Sequence, residues 1–116
     1  MWICLNNAFL SIVEQQQPDD NLLVRARRKG DIERVFPGAK VERTVGRDYL
    51  YRTLVDRELV AQAIADQVRG INYPNFMNSV PDHKLHNAYS GFWSIMARVQ
   101  EVPPYSNGRG KSGSLL

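Results

Sequence analysis

The residue pattern predicts an α+β fold: an antiparallel sheet of about five strands, in the chain order β-β-β-α-β-β-α-α, with helices packed on one face. Three observations carry that expectation. Short apolar or alternating runs, punctuated by turn residues, recur through the first 55 positions. A helix-period stripe with a capping aspartate and a closing glycine follows at 56–70, and another such stripe occupies 81–100. Strands this short, joined by tight turns, favour antiparallel pairing, because a parallel pair needs a longer crossover.

Residues 2–5 and 8–13 are apolar runs split by Asn6 and Asn7, which tolerate the positive φ of a tight turn, so a hairpin is expected. The polar stretch 14–21, with Pro18 inside it, reads as a loop. Residues 22–28 alternate: Leu22, Val24 and Ala26 share one face, and Leu23, Arg25 and Arg27 the other. Ile32, Val35 and Phe36 stand at helical spacing in a short helix over 30–36 that Pro37 and Gly38 stop. Residues 41–45 and 49–55 make a second hairpin about Gly46, Arg47 and Asp48.

Asp56 is a natural N-cap for a helix over 57–69, with Leu59, Val60, Ala63, Ile64 and Val68 on one stripe and Gly70 closing it. The linker 72–80 is rich in asparagine yet aromatic, so it is expected to pack across its surroundings. A third helix is expected from Pro81 and Asp82 to Gln100, on Leu85, Ala88, Tyr89, Phe92, Met96 and Val99, with Gly91 weakening its middle.

A chain of 116 residues holds one domain, and 43% hydrophobic with 23% charged residues is a globular balance rather than a disordered one. The expected division is a single domain at 1–102 and a flexible basic Gly/Ser-rich tail at 103–116, where apolar content is too low to offset chain entropy. No apolar run approaches the roughly 20 residues that span a bilayer, and the N-terminal residues lack a secretory pattern. A cytoplasmic location and no membrane partner are therefore expected. Cys4 stands alone, which predicts a packed thiol and no disulfide within the chain.

The formal charge is +3, with eleven arginines against four lysines, and arginine's planar fork suits phosphates and carboxylates. Arg25 and Arg27 on one strand face, with Arg43 and Arg52 on the neighbouring hairpin, make a candidate binding row. Tyr49 and Tyr51 share a face on which bases could stack, with Arg52 pointing the other way. The competing reading pairs these arginines across strands with Glu14, Glu33, Glu42 or Asp48 as a solvated sheet face. Tyr73, Phe76 and Met77 form a second candidate contact, joined by Trp93 on the last helix.

His83 and His86, three residues apart at a helix start, are the candidates for proton transfer, and a ribonuclease-type reaction would pair one of them with a cation. A zinc site needs a third ligand that no neighbouring motif supplies. The nucleotide-loop and hydrolase patterns are lacking, so no metal and no cofactor are expected; Gly108 to Ser112 has neither the spacing nor the preceding strand of a phosphate loop. No pattern assigns an oligomeric state.

The run 2–13, with 22–27 and 30–37, resembles a family of small uncharacterised bacterial and prophage-associated proteins. Residues 48–52, 73–76 and 85–89 carry the same likeness, so it covers nearly the whole domain, with Met77 standing where the relatives often have lysine. The resemblance brings no activity with it. Its mobile-element association implies a compact inhibitor of a host nucleoprotein complex, of the anti-CRISPR kind, acting on a protein or nucleoprotein partner; an RNA-binding protein or ribonuclease-type toxin is the alternative.

Overall fold

The computed structural model describes residues 1–16 and 19–106, which form two compact units, one of Met1–Pro81 and one beginning at Asp82. The first holds β1 (Trp2–Cys4), β2 (Phe9–Glu14), β3 (Asn21–Ala26), α1 (Asp31–Val35), β4 (Glu42–Arg43), β5 (Tyr51–Asp56), α2 (Arg57–Arg69) and a single 3-10 turn at Met77–Ser79. The second holds α3 (His83–Ala97). The class and the element order are those the sequence predicts. Gln17 and Pro18 of the expected first loop, and residues 107–116 of the expected tail, lie outside the described residues.

All strand pairs are antiparallel, in the order β1-β2-β3-β5-β4. The first three strands form a meander; the chain then crosses through α1, and β5 inserts between β3 and β4. Leu5 N–H donates to the Ala8 carbonyl at 2.8 Å across the Asn6-Asn7 turn. In the second hairpin Gly46 has φ +90°, a conformation open to glycine at little cost, and Thr44 N–H meets the Leu50 carbonyl at 2.6 Å.

Register decides which face is buried. Ile12 lies opposite Val24, which lies opposite Thr53; Leu22 lies opposite Val55 and Ala26 opposite Tyr51. Leu10, Ile12, Val24, Ala26 and Val55 form the core with Ile32 and Phe36 from the α1 segment and Val60 from α2, so both helices of this unit sit on one sheet face. Each fully buried aliphatic side chain contributes roughly 1.5–3 kcal/mol. A Leu10→Ala truncation therefore removes about 2–5 kcal/mol.

α2 occupies the predicted span. The Asp56 carboxylate accepts from the N–H groups of Glu58 (3.0 Å) and Leu59 (3.3 Å), which satisfies donors of the first turn, and Gly70 N–H closes on the Asp66 carbonyl at 3.0 Å. Its buried stripe is narrower than expected: Val60, Ala63 and Ile64 face the core, whereas Leu59 and Val68 are exposed. Other boundaries also shift. The strand expected at 41–45 pairs only at Glu42–Arg43, because the turn and Val41, packed against the core, claim the flanking residues. The last helix ends at Ala97 rather than Gln100, with a tightened final turn in which Arg98 N–H donates to the Ile95 carbonyl (3.1 Å).

Asp31 is the one fully buried carboxylate among the described residues, at 1% exposure. Its oxygens accept from Arg28 (2.8 and 3.2 Å), from Arg34 (2.9 Å) and from the backbone N–H of Phe9 (3.1 Å). A buried charge is tolerated only when paired and hydrogen-bonded, and this set meets both conditions. Gly30, at φ +95°, admits the approach, since a Cβ there would stand 3.0 Å from the Arg34 guanidinium.

In the second unit, the Asp82 carboxylate caps α3 by accepting from Leu85 N–H (2.8 Å). Leu85 and Tyr89 are its buried positions, and Phe92, Trp93, Ile95 and Met96 are exposed. Trp93, 49% exposed, packs against Tyr105 with ring centroids 6.2 Å apart. No helix among the described residues is long and apolar enough to cross a membrane.

Candidate arginine-tyrosine binding site

On the sheet face opposite α1 and α2, register brings Trp2, Ser11, Arg25, Arg52 and Glu42 into one row across all five strands. Arg25 and Arg52 are direct cross-strand neighbours, although like charges in that position repel. Tyr49 stands at the end of the second hairpin turn, before regular pairing begins, and is only 4% exposed.

The guanidinium carbons of Arg25 and Arg27 lie 4.5 and 4.3 Å from the Tyr49 ring centroid. The two charges are thus at most the sum of those distances, about 9 Å, apart. At an effective dielectric of about 20, unit charges no farther apart than that repel by at least roughly 2 kcal/mol. Each cation–ring contact returns about 0.5–2 kcal/mol, so the shared ring is what makes the pairing tolerable.

Hydrogen bonds fix the three arginines in place. Arg25 Nη2 donates to Ser11 Oγ (2.7 Å), Arg27 Nη1 to the Asp48 carbonyl (2.8 Å) and Arg52 Nη2 to Asp48 Oδ1 (3.0 Å). Asp48 Oδ1 also accepts from Tyr49 N–H at 3.0 Å, which fixes the backbone that carries the ring. Of the carboxylates expected to neutralise this row, Asp48 alone does so, and only for Arg52. Among the described residues neither Arg25 nor Arg27 has a carboxylate partner. The Nε atoms of Arg25 and Arg52 are buried without a hydrogen-bond partner among the described residues. The arrangement is a preorganised cation pair on an aromatic base, suited to an anion.

The other expected site residues fall elsewhere. Tyr51 lies opposite Ala26 and packs against the core, so it does not share a base-stacking face with Tyr49, which precedes the strand and does not follow its alternation. Arg52 joins Arg25 in the expected row, on the sheet face opposite Tyr51. Arg43 lies opposite Tyr51, on the other side of the sheet from Arg25, and is exposed at the edge. Tyr73 and Phe76 pack on each other at 6.0 Å, beside Met77, and all three are half-buried. Tyr73 also lines a groove of about 360 Å³ with Ile3, Cys4, Ile64 and Val68.

His83 and His86 stand in the first turn of α3, and no group of three or more His, Cys, Asp or Glu among the described residues could hold a metal ion. Cys4 is half-buried in β1, and that burial raises its thiol pKa. Sequence reasoning missed the Asp31 clamp and the part of Ser11. The clamp had a legible signal, an acid flanked by arginines at three residues before and three after; Ser11 had none without the register.

Compared with known proteins, the chain matches no family model, and no curated protein and no solved structure is significantly similar to it.

Proposed function

We propose that the protein is a small, non-catalytic intracellular binding protein that grips a nucleoprotein complex through Arg25, Arg27 and Tyr49, with Arg52 completing the surface. The single observation that supports this reading is the pair of guanidinium groups that share the Tyr49 ring without a carboxylate of their own. Positively charged forks at close spacing match the phosphates of a nucleic-acid strand, and the shared aromatic base fixes their separation before the partner arrives. The biological role that fits is inhibition of a host nucleoprotein machine by a mobile-element protein, the anti-CRISPR kind of action.

The test is affinity capture from a bacterial lysate, with and without nuclease, using the wild type and an Arg25→Ala/Arg27→Ala variant. A complex retained by the wild type and lost by the folded variant is expected. Equal capture by both proteins would contradict the assignment. Shortening of RNA in the same lysate, abolished by His86→Ala, would instead establish the ribonuclease-type alternative.

A further inference from the structure

The outer edge of β5 is half uncovered. β3 pairs with β5 along its whole length, from Asn21 opposite Asp56 to Ala26 opposite Tyr51, whereas β4 pairs only with Tyr51 and Arg52. The direction of the uncovered groups follows from two hydrogen bonds. Arg57 N–H donates to the Asp20 carbonyl (2.9 Å) on the β3 side, and the Leu50 carbonyl accepts from Thr44 (2.6 Å) on the β4 side. Backbone direction alternates along an antiparallel strand, so odd residues of β5 address β3 and even residues address the outside. Leu54 therefore aims its N–H and its carbonyl outward, and Asp56 its N–H, where no strand meets them among the described residues.

This edge forms the floor of a groove of about 670 Å³. One wall is the segment with Phe36, Ala39 and Lys40, and the other is α2 with Leu59 and Ala63. Its apolar lining comes from Phe36, Ala39, Leu59 and Ala63; Leu54 contributes its edge backbone, since register turns its 50% exposed side chain to the Arg52 face. Natural edges of this kind are usually blunted, because unpaired donors and acceptors beside apolar side chains recruit another strand.

We propose that the edge of β5 from Thr53 to Asp56 is a β-augmentation site, which takes an extended apolar peptide segment of a partner protein with an acidic residue at the end beside Lys40. The site is independent of the arginine surface. Four strand residues span roughly 13 Å, enough for a short peptide strand whose main chain supplies affinity and whose alternate side chains enter the groove. Three charged residues line the groove: Asp66 pairs with Arg69 and the Asp56 carboxylate caps α2, whereas Lys40 is exposed with no carboxylate partner among the described residues, which favours an acidic residue at its end of the incoming segment.

The test follows Leu54 amide exchange by NMR in the full chain, with the peptide acetyl-Thr-Val-Thr-Val-Thr-Asp-amide as probe. Exchange is expected to slow about tenfold on saturation, and an analogue N-methylated at its valines, which keeps the side chains but loses edge donors, is expected to have no such effect. Lys40→Glu is expected to weaken the unmodified peptide several-fold; unchanged affinity would overturn the acidic-residue assignment. A Leu54 amide already protected in the protein alone, or one that millimolar peptide leaves unchanged, would overturn the site.

Discussion

Phe9 donates its backbone N–H to the buried carboxylate of Asp31 at 3.1 Å, across 22 residues of sequence. That bond ties the start of β2 to the start of α1, and the same carboxylate holds Arg28 and Arg34. Removing the charge leaves an inward N–H and two guanidinium groups short of an acceptor. Because both arginines are partly exposed and can turn to water, the loss is set below that of a fully buried pair, at about 2–4 kcal/mol for Asp31→Ala. Chemical denaturation measures it; a change under about 0.5 kcal/mol, the level of an ordinary surface substitution, would contradict the clamp.

The cap of α2 makes a smaller prediction. Asp56 holds two first-turn N–H groups, so Asp56→Ala should cost about 1 kcal/mol and Asp56→Asn less, since asparagine also caps. Equal losses for both variants would assign the effect to charge rather than to hydrogen bonding.

Burial pushes the Cys4 thiol above its ordinary pKa, so the neutral form dominates at pH 7 and the thiolate forms only at higher pH than in an unfolded chain. The rate of alkylation by iodoacetamide should be slow at neutral pH and should rise through a midpoint more alkaline than that of the urea-denatured protein. A midpoint below the denatured one would reverse the assignment.

Local chemistry made the elements legible. Asp56 and Gly70 bracket α2, Asn6 and Asn7 mark the first turn, and the alternation of 22–28 puts Arg25 and Arg27 on one face, as the structure has it. What local chemistry does not carry is long-range pairing. Placing β5 between β3 and β4 depends on which strand edges meet, and only that placement sets Arg52 beside Arg25 and turns Tyr51 into the core. Tyr49 departs from the expected face for a related reason: the bend at 47–50, held by Asp48, interrupts the two-residue period, so the phase of the strand does not extend back to it.

The most direct measurement is the salt dependence of binding to a labelled single-stranded RNA of about twenty nucleotides, by fluorescence anisotropy. Each phosphate contact on a single strand contributes about 0.7 to the slope of log affinity against log salt. The Arg25→Ala/Arg27→Ala variant, with unchanged circular dichroism, should bind more weakly and with a slope shallower by about 1.4. The same affinity and the same slope in wild type and variant would contradict an anion-binding role for the two arginines on Tyr49.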